Sequence, residues 1–87
     1  MKIAMTISYD NGTVTIESTE YSNAVKLSTL HGDEVNEEFV HCDNNDLVTY
    51  SAHRVAAGLF PKDHGAYLDC VEQVRKALLF VYEESNR

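Results

Sequence analysis

The side chains with the widest chemical scope are four histidines, His31, His41, His53 and His64, and two cysteines, Cys42 and Cys70. Zinc modules draw their ligands from closely spaced pairs, and no such pair occurs here. The adjacent His41 and Cys42 would point to opposite faces of a strand, which opposes shared ligation. No metal centre is expected. A thiol nucleophile would need Cys42 or Cys70 beside a histidine from elsewhere in the chain. Cys70 falls on the flank of an apolar helical stripe, where a free cysteine behaves as a small hydrophobe. Two cysteines with neither metal spacing nor a dense disulfide framework suit free thiols in a reducing compartment.

Other familiar catalytic signatures are missing. The glycines stand at 12, 32, 58 and 65, so neither a phosphate-cradling P-loop nor a dinucleotide fingerprint can be assembled. His-Glu-x-x-His, Cys-x-x-Cys and Gly-x-Ser-x-Gly do not occur. The chain is therefore read as non-enzymatic and free of cofactors, with a small thiol or metal enzyme as the third-ranked alternative.

Charge is the most informative property. Across 87 residues, 7 Lys and Arg face 14 Asp and Glu, a formal net charge of −7. A protein that grips phosphate backbones needs the opposite balance, so direct binding to nucleic acid is not expected. The excess sits in residues 1–46, where Lys2 and Lys26 are the only bases, while residues 47–87 are balanced. From Leu27 to His53 the acids Asp33, Glu34, Glu37, Glu38, Asp43 and Asp46 occur with no Lys or Arg among them. Such asymmetry creates a negative field that can attract a basic partner. The bland alternative is a solvated acidic segment that serves solubility.

These residues need elements to position them, and Leu, Ile, Val and Phe, about a quarter of the chain, suffice for one folded domain over residues 1–87. Ile3, Met5, Ile7 and Tyr9 alternate with small or polar residues, and Val14 and Ile16 resume the alternation after Asn11-Gly12. The pattern predicts a β-hairpin with Asn11-Gly12 as a two-residue type I′ turn, which pairs Ile7 with Ile16 and Tyr9 with Val14. Asn11-Gly12-Thr13 also matches a glycosylation sequon, but the N-terminus reads as a strand rather than an export signal. A third strand is expected over Ala24 to Leu30, then a turn at Gly32-Asp33. Val35 to Cys42 fits a fourth strand less clearly, because Val35, Phe39 and Val40 also fit one helical turn.

Asp43-Asn44-Asn45-Asp46 can start a helix, with Val48, Ala52, Val55, Ala56 and Leu59 on its core arc and Tyr50, His53, Arg54 and Ala57 outward. Gly58 and Pro61 end it. Asp63 can cap a second helix from about His64 to Glu84, with Tyr67, Val71, Val74, Leu78, Val81 and Tyr82 as its stripe. Glu83 and Glu84, at the negative end of its dipole, should fray the last turn. The expected fold is α+β, a small antiparallel sheet packed by two C-terminal helices in the order ββββαα. The longest apolar runs fall far short of a membrane span, so a cytoplasmic protein is expected.

In size and charge the chain resembles the broad class of phage-encoded inhibitors and DNA mimics that includes anti-CRISPR proteins, although no sequence motif carries the likeness. The charge distribution points to a protein-binding module whose carboxylates Asp33, Glu34, Glu37, Glu38, Asp43 and Asp46 occupy a basic surface of a partner protein or nucleoprotein complex, and the resemblance implies that this surface is a nucleic-acid-binding one. The alternative is a structural or assembly subunit that pairs through its C-terminal helix. Phe80 lies nearly opposite the core stripe of that helix, so a homodimer contact is expected there.

Overall fold

The computed structural model describes residues 2–87. Four strands and two helices follow one another as β1 (Ala4–Tyr9), β2 (Gly12–Ser18), β3 (Ala24–His31), β4 (Glu34–His41), α1 (Asn45–Leu59) and α2 (His64–Ser85). The strands form one antiparallel sheet in the order β1-β2-β3-β4, with β1 and β4 as its edges. The fold is α+β, with both helices on one face of the sheet.

Alternation in the strands decides which face is covered. Val14, Ile16, Val25, Leu27 and Val40 are buried beneath the helices. The opposite face carries Thr6, Thr15 and Ser28 and meets no element. Helix α1 supplies Val48, Ala52, Val55, Ala56 and Leu59 to the core, and α2 supplies Cys70, Val74, Ala77, Leu78 and Val81. Each fully buried Leu, Ile or Val contributes about 1.5–3 kcal/mol of transfer free energy. Tyr67, Val71 and Tyr82 are half-buried at the border of this core, and Leu68 is exposed.

Both helix starts are capped as the short polar residues require. The Asn44 side chain accepts from the backbone N–H groups of Asp46 at 3.0 Å and Leu47 at 3.3 Å, and Asp63 accepts from Ala66 at 3.0 Å. The end of α2 is tied down despite Glu83 and Glu84. Asn86 Nδ2 donates to the carbonyls of Ser22 at 2.6 Å and Tyr82 at 2.8 Å.

The hairpin forms, but its turn differs from the sequence expectation. Tyr9 pairs with Gly12, Ile7 with Val14 and Met5 with Ile16, so the loop is Asp10-Asn11 and the register has moved by two residues. A shift of two preserves which side chains face the core, so the buried set is unchanged. Gly12 has no positive φ, and Gly32, at +64°, is the only described residue that does. Gly12 is required for close approach instead. A Cβ there would collide with the Leu30 carbonyl oxygen and lie 2.7 Å from Leu59 Cδ2. Asn11 completes the arrangement by donating from Nδ2 to the Leu59 carbonyl, which ties the hairpin tip to the end of α1.

Candidate functional site

The acidic segment folds into the β4 edge and its two flanks. Parity dictates its layout: with Val40 on the core side, Glu34, Asn36 and Glu38 share that side, while Val35, Glu37 and Phe39 face solvent on the open side. The six carboxylates therefore do not converge into one patch. Asp33 and Glu34 sit at the β3–β4 turn, Glu37 and Glu38 lie on opposite faces at mid-strand, and Asp43 and Asp46 stand at the far end where α1 begins. An eight-residue strand places those ends about 23 Å apart. Asp46 occupies the first turn of α1, where a carboxylate complements the helix dipole.

The mid-strand acids are already paired within the fold. Lys26 Nζ lies 2.6 Å from Glu37 on the open face, and the Arg54 guanidinium of α1 pairs with Glu38 on the helix side. Lys26 holds the Glu37 carboxyl below the usual carboxylate range, by hydrogen bond and then by charge. The open face adds a second pair, Lys2 with Glu17 at 3.0 Å, so cations and carboxylates alternate across β2, β3 and β4.

On the helix side, a cleft of about 190 Å³ separates β4 from α1. Its polar wall comprises Thr29, His31, Glu34, Asn36, Glu38 and Arg54. Glu34 is exposed and accepts only from Asn36 Nδ2 at 3.4 Å, which leaves it open to an incoming donor. The opposite face of the same edge mixes exposed apolar residues with the Lys26–Glu37 ion pair. Leu30 and Val35 are directly paired, and with Phe39 they are 44%, 61% and 60% exposed. Glu37 lies between Val35 and Phe39 on this face and Lys26 is in register with Phe39, so the three exposed hydrophobics are interspersed with an ion pair.

Sequence reasoning singled out the carboxylates of this region but not the exposed Val35 and Phe39 on either side of Glu37. The signal was available: placing Val40 and Cys42 in the core sends Val35 and Phe39 outward by parity alone. Phe80 is half exposed, as expected, but sits at the lip of a groove beside β1 rather than on an isolated helix face.

Comparison of the chain with protein-family models, curated proteins and solved structures finds no match.

The cysteines lie in the core, and two of the histidines contact Tyr67. Cys42 is buried under α2, and burial pushes its thiol up to about 11, with Asp43 adding to the shift. Burial likewise raises Cys70, opposed by a hydrogen bond with Tyr9. Both thiols stay protonated near neutral pH, the reverse of what a nucleophilic cysteine requires. His53 Nδ1 hydrogen-bonds the Tyr67 hydroxyl, joining α1 to α2, and the His64 ring stacks on Tyr67 at 6.0 Å. Among the described residues, no three His, Cys, Asp or Glu side chains gather in a metal-binding group. No helix is long and apolar enough to cross a membrane.

Proposed function

We propose that the chain is a small non-enzymatic protein-binding module that uses the β4 edge and the adjoining open sheet face to dock a basic protein surface. The observation that supports this reading is the exposure of Leu30, Val35 and Phe39 around the Lys26–Glu37 pair, with carboxylates at both ends of the strand. The exposed hydrophobics supply contact area, and the carboxylates at the strand ends steer the encounter and reject acidic surfaces. Glu37 and Glu38 contribute less than their number implies, because Lys26 and Arg54 neutralise them. The steering charges are Asp33 and Glu34 at one end and Asp43 at the other, with Glu34 placed in the cleft to receive a Lys or Arg side chain. The partner class is a basic protein or nucleoprotein complex. Occupying a surface that otherwise holds phosphates would make the chain an inhibitor of the DNA-mimic, anti-CRISPR kind.

The test is capture from a native lysate with four baits: parent, Asp33→Lys/Glu34→Lys, Val35→Ser/Phe39→Ser, and Lys62→Glu as a surface control. These substitutions leave the Lys26 and Arg54 pairs intact, so the baits remain folded. The reading predicts a basic partner retained by parent and control, lost by both double variants and released by salt. A partner held equally by all four baits would place recognition elsewhere.

A further inference from the structure

The other edge of the sheet differs in charge. Ala4-Met5-Thr6-Ile7-Ser8-Tyr9 contains no Asp, Glu, Lys or Arg. Its hydrogen-bond phase follows from Ser18 N donating to the Ile3 carbonyl at 2.8 Å. In an antiparallel ladder such pairs alternate, so Ile3, Met5, Ile7 and Tyr9 turn their backbone groups to β2. Ala4, Thr6 and Ser8 turn theirs outward, onto an edge that no other described strand covers. On the helix side this edge continues into an apolar groove formed by Met5, Ile7, Tyr9, Ala77 and Phe80, with Lys76 at its rim. Uncharged edge strands of this kind are templates for pairing, and proteins ordinarily protect them with charge, proline or a bulge.

We propose that β1 pairs with β1 of a second copy, antiparallel about a two-fold axis at Thr6, to give a continuous eight-stranded sheet. The occupant is identified by self-complementarity. Centred on Thr6, the pairing sets Thr6 against Thr6, Ala4 against Ser8 and Ser8 against Ala4. These are the residues whose N–H and C=O groups face outward, so every free backbone group on the strand finds a partner. The same register sets Met5 against Ile7 and Ile3 against Tyr9 on the helix side, an unbroken apolar seam, and Phe80 stands at the lip of the groove to cover it. It also brings Lys2 level with Asp10 of the second copy, twice by symmetry. Asp10 is exposed and makes no salt bridge among the described residues, whereas Lys2 lies 3.0 Å from Glu17 of its own chain, so Lys2 would bridge the in-chain Glu17 and the opposing Asp10.

Charge favours this edge over the other for self-pairing. Antiparallel β4–β4 pairing about Glu37 would oppose Glu37 to itself within a chain of net charge −7. Pairing through β1 instead places the two β4 strands at the far ends of an eight-stranded sheet, about 34 Å apart at the usual strand spacing. That is several screening lengths at physiological salt, where one length is about 8 Å. The seam uses none of the β4 surface, so the proposal stands or falls independently of the partner-binding reading.

Sedimentation equilibrium across low- to high-micromolar protein tests it. The parent should approach twice 9.8 kDa. Thr6→Pro, which removes an outward N–H and suits an edge strand, should remain near 9.8 kDa while retaining the parent circular dichroism. Asp10→Lys should weaken the dimer by opposing Lys2 with a second lysine, and Lys2→Glu/Asp10→Lys/Glu17→Lys, which reverses the in-chain pair as well, should restore it. Val35→Lys, on β4, should sediment as the parent does. Should Thr6→Pro fail to fold, the charge-swap series decides alone. A parent that stays at 9.8 kDa throughout, or a dimer indifferent to Asp10→Lys, overturns the proposal.

Discussion

β1 and β4 hold equivalent positions in the sheet, each with one ladder satisfied and one row of backbone groups facing out, yet they are built from opposite materials. β4 carries Glu34, Glu37 and Glu38 along eight residues, with Arg54 and Lys26 pairing two of them from opposite faces. β1 carries no Asp, Glu, Lys or Arg and is bordered by an apolar groove. A charged edge repels its own copies and selects an oppositely charged partner, whereas a neutral edge with matched backbone groups accepts a copy of itself. The two proposed associations would each use their own edge and so would not compete.

The contrast can be broken most severely at Gly12, where β1 is held to the rest of the fold. Gly12→Ala would drive a Cβ into the Leu30 carbonyl, and overpacking against backbone costs about 1–3 kcal/mol or more. Urea unfolding should show a lower midpoint, and the dimer should weaken with it because β1 loses its anchor. An unchanged midpoint would mean that the hairpin turn lies elsewhere. At the other edge, Val35→Ser/Phe39→Ser removes exposed apolar area only, so stability should change by less than about 0.5 kcal/mol while partner capture is lost.

Between these effects lies the Arg54–Glu38 pair, which closes the cleft beside β4. Arg54→Ala should cost no more than about 1 kcal/mol, because both side chains retain partial solvent access. A larger loss in thermal unfolding would make the pair a principal tie between α1 and the sheet. Alkali acts on the core beneath both edges. The Cys42 thiol has a raised folded-state value of about 11, so its contribution to stability is intact below the ordinary thiol range and declines as pH rises toward 11. Cys42→Ala should flatten that decline in denaturation series taken at rising pH. The smallest effect is expected at Glu37. Its carboxyl, lowered by Lys26, stays ionised at neutral pH and loses that interaction only as the solution is acidified through its folded value, so NMR titration of Lys26→Ala should show it moving back up.

What could be read from the chain divides along the same physical line. Alternation in β1 and β2, the Asn44 and Asp63 caps and the core arc of α1 depend on residues within a few positions of one another, and all appear as their spacing implies. The hairpin register depends instead on a contact 48 positions away, where Asn11 reaches the Leu59 carbonyl and Gly12 clears the Leu59 side chain. No local rule distinguishes a glycine needed for positive φ from one needed for proximity. The acidic segment was legible as charge but not as geometry. Its division between two faces follows from strand parity, whereas pairing with Arg54 required knowing where α1 lies. Phe80 was legible as an unburied aromatic, and only the neighbouring β1 edge gives it a surface to complete.

Amide-resolved hydrogen exchange at two protein concentrations addresses both edges in one measurement. The ladder phases place the outward N–H groups at Ala4, Thr6 and Ser8 on β1, and at Val35, Glu37, Phe39 and His41 on β4, the latter fixed by Cys42 N donating to the Asn23 carbonyl at 2.9 Å. Division of labour between the edges predicts that Thr6 and Ser8 exchange fast in dilute protein and slow at high concentration, while Val35, Glu37 and Phe39 exchange fast in both. Concentration-dependent protection on β4, or its absence on β1, would contradict it.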